Sequence, residues 1–245
     1  MGSVGKSATV SIGVKSTNNG TSNNPNDYSD VYTHKTAIPK DDIDIITNGS
    51  TGYIGTGHSF LINRILRESE SDADLRNTLK KASNDPSVFG NTDEDKFFET
   101  LNTMDRNMKP LNGNIQVARM AELDFMTSVL KQINMDGLKI GFGGKVDENW
   151  LYANVDKIND TLSGAIITEK SYISTTYDLT MKRSFFASRP IKLEMNVAKG
   201  ANALFSPFDD EAEMVLARSS SYKVNGFRWD SSINKFVMSV DVYPD

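Results

Sequence analysis

The chain has 245 residues, 38% of them hydrophobic, with 27 Lys and Arg against 32 Asp and Glu for a net charge of -5. That is enough apolar side chain for a sizeable core and too much for a disordered polymer, and the overall field does not favour nucleic acid or an anionic membrane. With no cysteine and only His34 and His58, disulfides, zinc-thiolate and iron–sulfur centres and thiol nucleophiles are excluded, and little remains for an imidazole triad or metal cage.

The first residues lack the basic-then-apolar order of a secretion signal, and no stretch approaches the ~18 consecutive apolar residues of a membrane span. The compartment stays open. Residues 16–30 are dominated by Asn, Ser, Thr, Gly and Asp and cannot supply a buried face, so 1–45 reads as a flexible N-terminal arm, with a short strand at Val10, Ile12 and Val14. A folded domain is expected over 46–245, with a helical layer at 46–110 and a sheet core at 111–245. In the helical layer Phe60, Ile62, Ile65 and Leu66 share one face, and Leu75, Leu79, Phe97, Phe98, Leu101, Met104 and Met108 continue the period. Asn84-Asp85-Pro86 and Gly90-Asn91 separate two to four helices, and Lys109-Pro110 ends the last.

After Pro110 the apolar residues fall into short β-type runs at 114–119, 191–197, 203–205, 214–217, 222–224 and 235–242, with turns expected at Asn225-Gly226 and Asp230-Ser231-Ser232. Residues 123–133 and 150–162 have helical spacing. The fold class is therefore α+β, with N-terminal helices packed on a sheet-rich half.

Three segments can carry chemistry. Asn114-Ile115-Gln116-Val117-Ala118-Arg119 is a strand that ends in an arginine, whose fork can hold a phosphate; a plain surface arginine is the ordinary alternative. Ile173-Ser174-Thr175-Thr176 alternates as a strand, with Ser174 and Thr176 on one face and Thr175 on the other. Phe205-Ser206-Pro207-Phe208 leads through a turn to Glu211-Ala212-Glu213-Met214-Val215-Leu216, which places two glutamates at a turn-to-strand junction.

In that order these segments resemble the arginine, Ser-Thr-Ser, Glu-x-Glu class of mono-ADP-ribosyltransferases, and in particular the actin-modifying enzymes of bacterial binary and vegetative-insecticidal toxins. Ile62-Asn63-Arg64-Ile65-Leu66-Arg67 is similar to the family's Ile-Asn-x-x-Leu-Arg helix, and Asn196-Val197-Ala198-Lys199-Gly200 to its strand ending in Pro-Lys-Gly. The likeness covers about 50–245. It departs from the family at Ala118, where tyrosine is usual, at Thr176 in place of serine, and in the long span from Arg119 to Ser174, with 136–145 resembling an insertion. A competing alignment puts 138–144 at the arginine strand and Gly143 at the arginine itself.

The resemblance implies a two-sheet ADP-ribosyltransferase core and NAD+ as substrate, with no metal. Glu213 would stabilise the oxocarbenium ion formed when nicotinamide leaves, Ser174 would hold Glu213, and Glu211 would face the acceptor. Arg119 would bind the pyrophosphate, with Asn63, Thr175, Thr176, Phe185 and Arg189 completing the dinucleotide site. Glu-x-Glu accompanies arginine acceptors in this family, so a protein arginine is implied, on actin as leading target, with Phe205 and Phe208 meeting the protein. A separate delivery component and a secreted or delivered toxin follow from the same likeness. NAD+ hydrolysis at the same cleft, a phage-borne transferase, a non-catalytic interaction module, and a Ca2+ site at Asp209, Asp210, Glu211 and Glu213 are the alternatives.

Overall fold

The computed structural model describes residues 37–83, 93–133, 146–179, 188–208 and 212–244. The early part is helical: α1 (Lys40–Ile46), α2 (His58–Glu68), α3 (Leu75–Ser83, entered through a 3-10 turn at Asp72–Asp74) and α4 (Glu94–Asn107). Their apolar residues recur at helical spacing, so Leu61, Ile62, Ile65 and Leu66 of α2 and Phe97, Leu101 and Met104 of α4 enter one buried cluster. Asp93 starts α4 by accepting the Asp95 and Lys96 backbone N–H groups, which otherwise lack helical partners. Two expectations change here. Phe60 points outward, 59% exposed, and the stripe is completed by Leu61. Residues just before position 46 are also part of the folded body, because α1 buries Ile46 and the preceding Ile38 packs into the same cluster. The rest of the predicted arm, with Val10, Ile12 and Val14, lies outside the described residues, as does the 84–92 turn region.

The later part supplies β1 (Lys109–Pro110), β2 (Ile115–Ala121), α5 (Leu123–Gln132), α6 (Glu148–Ala153), α7 (Val155–Leu162), β3 (Ile166–Glu169), β4 (Ile173–Thr176), β5 (Ile191–Val197), β6 (Asn202–Phe205), β7 (Glu213–Leu216), β8 (Ser220–Asp230) and β9 (Lys235–Val242). The strands hydrogen-bond in the order β1-β6-β7-β4-β2-β5-β9-β8-β3. β2 pairs with β5 along its whole length, from Ile115 opposite Val197 to Ala121 opposite Ile191, but meets β4 through the single pair Ala118 and Thr176. One register pair is a hinge in the ladder. The sheet therefore divides into a four-stranded half and a five-stranded half, and both feed one core. Ala203, Phe205, Met214 and Leu216 come from the first half, and Leu193, Met195, Tyr222, Phe236 and Met238 from the second.

Tyr172, Leu204 and Val215 project from the other face of the four-stranded half into the helical cluster. That half is covered on both faces, and its β4/β7 end, where Glu213 stands opposite Thr176, lies at the seam between the two cores. The predicted turn at Asn225-Gly226 is instead an irregularity inside β8, with a register slip between Val224 and Gly226. Gly226 lets α7 approach the strand: Asn159 Oδ1 accepts the Phe227 N–H at 2.9 Å, and a Cβ on Gly226 would lie 3.3 Å from that oxygen.

Candidate functional site

The site is assembled around a residue that the motifs do not contain. Tyr53 follows Gly52 in a loop folded back on the end of α1, where the Tyr53 and Ile54 N–H groups both donate to the Ile46 carbonyl, at 2.7 and 2.9 Å. Only glycine fits the turn, since a Cβ at position 52 would sit 2.5 Å from the Asn48 nitrogen and 2.6 Å from the Ile46 oxygen. The fold-back delivers the Tyr53 ring to the interior, edge-on to Tyr172 at 5.2 Å between centroids.

The Tyr53 hydroxyl joins both layers. Asn63, on the second turn of α2, donates from Nδ2 to it at 2.8 Å, and Ser174 Oγ lies 3.3 Å away on β4. Burial holds the phenol pKa above its ordinary value, against the opposing hydrogen bonds of Ser174 and Asn63, and both Arg119 and Glu213 are close enough to act on it electrostatically. Asn63, Ser174, Arg119 and Glu213, predicted from distant segments, are thus gathered about one phenol. Among the described residues Asn63 Oδ1 is buried without a partner, as is His58 Nε2 at the start of the same helix, where burial lowers the imidazole pKa. Unpaired buried polar atoms are costly, so an acceptor left open beside the Tyr53 cluster is an opening for a ligand donor.

Arg119 sits within β2, two residues before its end rather than at its end, and opposite Leu193. Its guanidinium makes no hydrogen bond or ion pair with another described residue. Burial lowers its pKa, the neighbouring Arg67 lowers it further, and Tyr53, Glu169 and Tyr222 oppose the shift. Arg67, on the last turn of α2, belongs to the Ile-Asn-x-x-Leu-Arg helix motif, which by itself gives it no role. Its Nε donates to Glu169 Oε1 at 3.1 Å, and Glu169 is itself gripped at that oxygen by the Ser171 N–H and hydroxyl at 3.1 and 2.8 Å. The terminal amino groups of Arg67 are uncommitted among the described residues. Tyr222, with a buried hydroxyl lacking a partner among the described residues, is acted on by Glu169, Arg119 and Arg67 in turn. Two guanidiniums, one of them unpaired among the described residues, beside a buried hydroxyl form a cationic cluster suited to a polyanion.

The remaining predicted residues divide. Glu213 opens β7 directly across from Thr176, and Ser174 is its diagonal neighbour on the same face, so the hydroxyl strand and the glutamate do meet. Thr176 Oγ1 accepts the Asp178 N–H at 3.1 Å. Thr175 faces the opposite core, as the alternation predicts; it is 4% exposed and its hydroxyl donates to the Met214 carbonyl at 2.6 Å, away from the dinucleotide role that the resemblance implies. It braces the ladder. Arg189 donates to the Met120 carbonyl at 3.2 Å and pairs with Glu122 at 2.8 Å, tying the segment before β5 to the end of β2. Phe205 is a correction: it is buried against Tyr177, at 6.0 Å between ring centroids, while Phe208 remains 39% exposed. Glu211, Phe185, Asp209, Asp210, His34, Gly143 and the 136–145 segment lie outside the described residues. Among the described residues no three His, Asp or Glu side chains group as metal ligands. A cavity of about 370 Å³ bounded by Asp72, Asp105 and Arg218 lies beyond the far end of β7 from Glu213, and Arg218 is spent there on both aspartates.

The sequence model of the ADP-ribosyltransferase exoenzyme family matches residues 48–243. The fold is similar to Plx2a, an ADP-ribosyltransferase toxin from Paenibacillus larvae, at a TM-score of 0.53 and 18% identity over 87% of this chain and 90% of that one. It is likewise similar to the C3 exoenzyme of Clostridium limosum, at 0.52 and 17% identity over 85% of this chain and 87% of that one. The ADP-ribosylating component of a binary enterotoxin of C. perfringens gives 0.50 and 18% identity, with 88% of this chain spanning 46% of that one. No curated protein matches the chain. The chain belongs to the ADP-ribosyltransferase exoenzyme family.

Proposed function

We propose, with that membership as premise, that this chain transfers ADP-ribose from NAD+ to an arginine side chain of a protein. The observation that carries the reading is the Arg119 guanidinium, unpaired among the described residues, beside the Tyr53, Asn63 and Ser174 cluster, within the electrostatic reach of Glu213 on the phenol at its centre. Such a cation in a half-buried site is matched by the dinucleotide pyrophosphate, and Arg67 stands ready as a second fork.

In the reaction the bond between the nicotinamide ring nitrogen and the ribose carbon breaks, and neutral nicotinamide departs with the bonding pair. The ribose is left as an oxocarbenium ion, which the Glu213 carboxylate stabilises while Ser174 steadies that carboxylate. A guanidine nitrogen of the target attacks the ribose carbon, and its proton passes to Glu211, the glutamate that the family likeness assigns to the acceptor. Thr176 lies across from Glu213 and lines the same floor. Arg189 and Phe185 complete the dinucleotide site in this reading. The exposed Phe208, two residues past a Ser206 whose hydroxyl accepts its N–H at 3.2 Å, would touch the target protein. Actin is the proposed target, and a separate delivery component the proposed partner.

The test is incubation with labelled NAD+ and a cell lysate, comparing wild type with Glu213→Gln. Label enters a protein with wild type and falls by about 100-fold or more in the variant, the scale set by loss of a charge that stabilises the transition state. Equal labelling removes Glu213 from catalysis. Free ADP-ribose without labelled protein turns the reading into NAD+ hydrolysis, and mass spectrometry that finds asparagine or cysteine modified overturns the arginine assignment.

A further inference from the structure

We infer that Tyr53 is a positioning residue that sets the direction of a hydrogen-bond chain from Asn63 to Ser174, so that the Ser174 hydroxyl donates toward Glu213. The inference rests on the reading above, in which Ser174 and Glu213 serve NAD+ cleavage.

A phenol has one proton to give and lone pairs to receive. Asn63 Nδ2 can only donate, so at 2.8 Å the Tyr53 oxygen is the acceptor. The Tyr53 proton then needs an acceptor of its own in a setting where the residue is 1% exposed, and among the described residues Ser174 Oγ at 3.3 Å is the one within reach. Ser174, having received that proton, keeps its own to give away. Among the described residues it makes no other side-chain hydrogen bond. Its diagonal neighbour on the same face is the Glu213 carboxylate, an acceptor at any pH where it is ionised. The chain therefore runs from the amide through the phenol and the serine hydroxyl to the carboxylate.

The opposite orientation of the Asn63 amide would turn every link round, drawing the Ser174 proton back to Tyr53. It would also bury both N–H donors of Asn63 without an acceptor among the described residues, where the present orientation satisfies one of them at Tyr53 and leaves the other and the lone-pair oxygen unpartnered. Orphaned donors are the rarer and costlier fault, which favours the forward direction. Gly52 matters for the same reason: it is what lets the loop deliver the phenol between α2 and β4.

The experiment measures nicotinamide release from NAD+ with no acceptor protein present, which reads the cleavage step alone. Tyr53→Phe keeps the ring against Tyr172 and removes the hydroxyl. It should lower kcat about tenfold with KM within about threefold, since a hydroxyl freed to rotate loses its orientation. Asn63→Asp replaces the donor by a carboxylate that takes the Tyr53 proton and reverses the chain, so it should lower kcat further. Adding Tyr53→Phe to Asn63→Asp should restore kcat to the level of Tyr53→Phe alone, because no phenol remains to pull the serine proton away. A merely structural role does not produce that recovery. Multiplied losses in the double variant, or an unchanged kcat in a folded Tyr53→Phe protein, overturn the inference. If Tyr53→Phe does not fold, 3,5-difluorotyrosine at position 53 in the full chain serves instead: a kcat equal to wild type overturns the inference and an altered one supports it. Wild type inert toward NAD+ overturns the reading on which it rests, whereas active wild type with multiplied losses overturns this step alone.

Discussion

The helical layer and the sheet core are both dry, but they are held together differently. The sheet core is nearly all hydrocarbon and aromatic, with Phe236 stacked on Phe227 at 5.6 Å and edge-on to Trp229 at 4.8 Å. The helical layer adds partly buried polar pins. Asp42 receives Arg106 and Asn107 side chains at 2.5 and 2.6 Å, and Asp105 joins Tyr172 of the sheet at 2.6 Å to Arg218 at 2.9 Å. Apolar packing tolerates small displacements, whereas a hydrogen bond fixes an angle and a partner. The difference teaches where a site can be built: the polar cluster at Tyr53 lies where the layer that specifies direction meets the layer that supplies stiffness.

Substitutions that empty one layer or unpin the other would break or sharpen this contrast. Phe236→Ala removes two ring contacts from the stiff half and should cost about 3–5 kcal/mol of unfolding free energy in a denaturant titration, the range for a large buried aromatic. A loss under about 1 kcal/mol would mean the sheet core is not where stability resides. Asp105→Ala removes one of the polar links between the layers. It should cost about 2 kcal/mol, held below the value for a fully buried pair by solvent at the partly exposed Asp105 and Arg218. The informative readout is which part loosens: amide exchange should quicken in α2 and α4 while β5 and β9 stay protected.

Acid should act first on the helical layer. Hydrogen bonds from Arg106 and then Asn107 hold the Asp42 pKa below its ordinary value, so its stabilisation is present above the unfolded carboxylate pKa and lost as pH falls through the lower folded one. Burial depresses the His58 pKa, so its neutral form stabilises the fold above about pH 6.5, and that contribution declines as the medium falls below the unfolded value. Thermal midpoints should therefore drop from pH 7 toward pH 3.5. Asp42→Ala should cost about 1.5 kcal/mol at pH 7 and flatten the lower part of that profile. A profile of unchanged slope would detach Asp42 from acid sensitivity. The smallest effect is expected at Gly226→Ala, where the new methyl group meets Asn159 Oδ1 at 3.3 Å; a cost below about 1 kcal/mol is expected, since the side-chain amide can give way.

Periodicity made most elements legible. β5 alternates buried and half-exposed residues from Ile191 to Val197 as its sequence does, and α4 and α5 occupy the segments with helical spacing. Where the local pattern misled, a neighbour had intervened. Asn225-Gly226 carries a turn signal, but pairing with β9 on one side and Asn159 of α7 on the other keep β8 continuous through it. Phe60 fits the apolar period yet lies outside, because the stripe is already filled by Leu61, Ile62, Ile65 and Leu66. Among the candidate site residues, Asn63, Ser174, Glu213 and Arg119 are readable as types in an order. Thr175 is legible as a residue of the opposite face, whereas the burial of Phe205 is not, because a turn aromatic is equally suited to packing and to a surface contact.

What the amino-acid sequence determined unaided was local and ordered along the chain: which stretches coil, which extend, and the succession of arginine, hydroxyl strand and paired glutamates. These follow from side-chain period and residue chemistry within a few positions. Tertiary structure alone decided that Tyr53 stands 3.3 Å from a serine 121 positions away, and that among the described residues Arg119 has no partner and Arg67 keeps two free amino groups. Each of those facts depends on which distant backbone segments pair and in what register, and no local energy term carries that information.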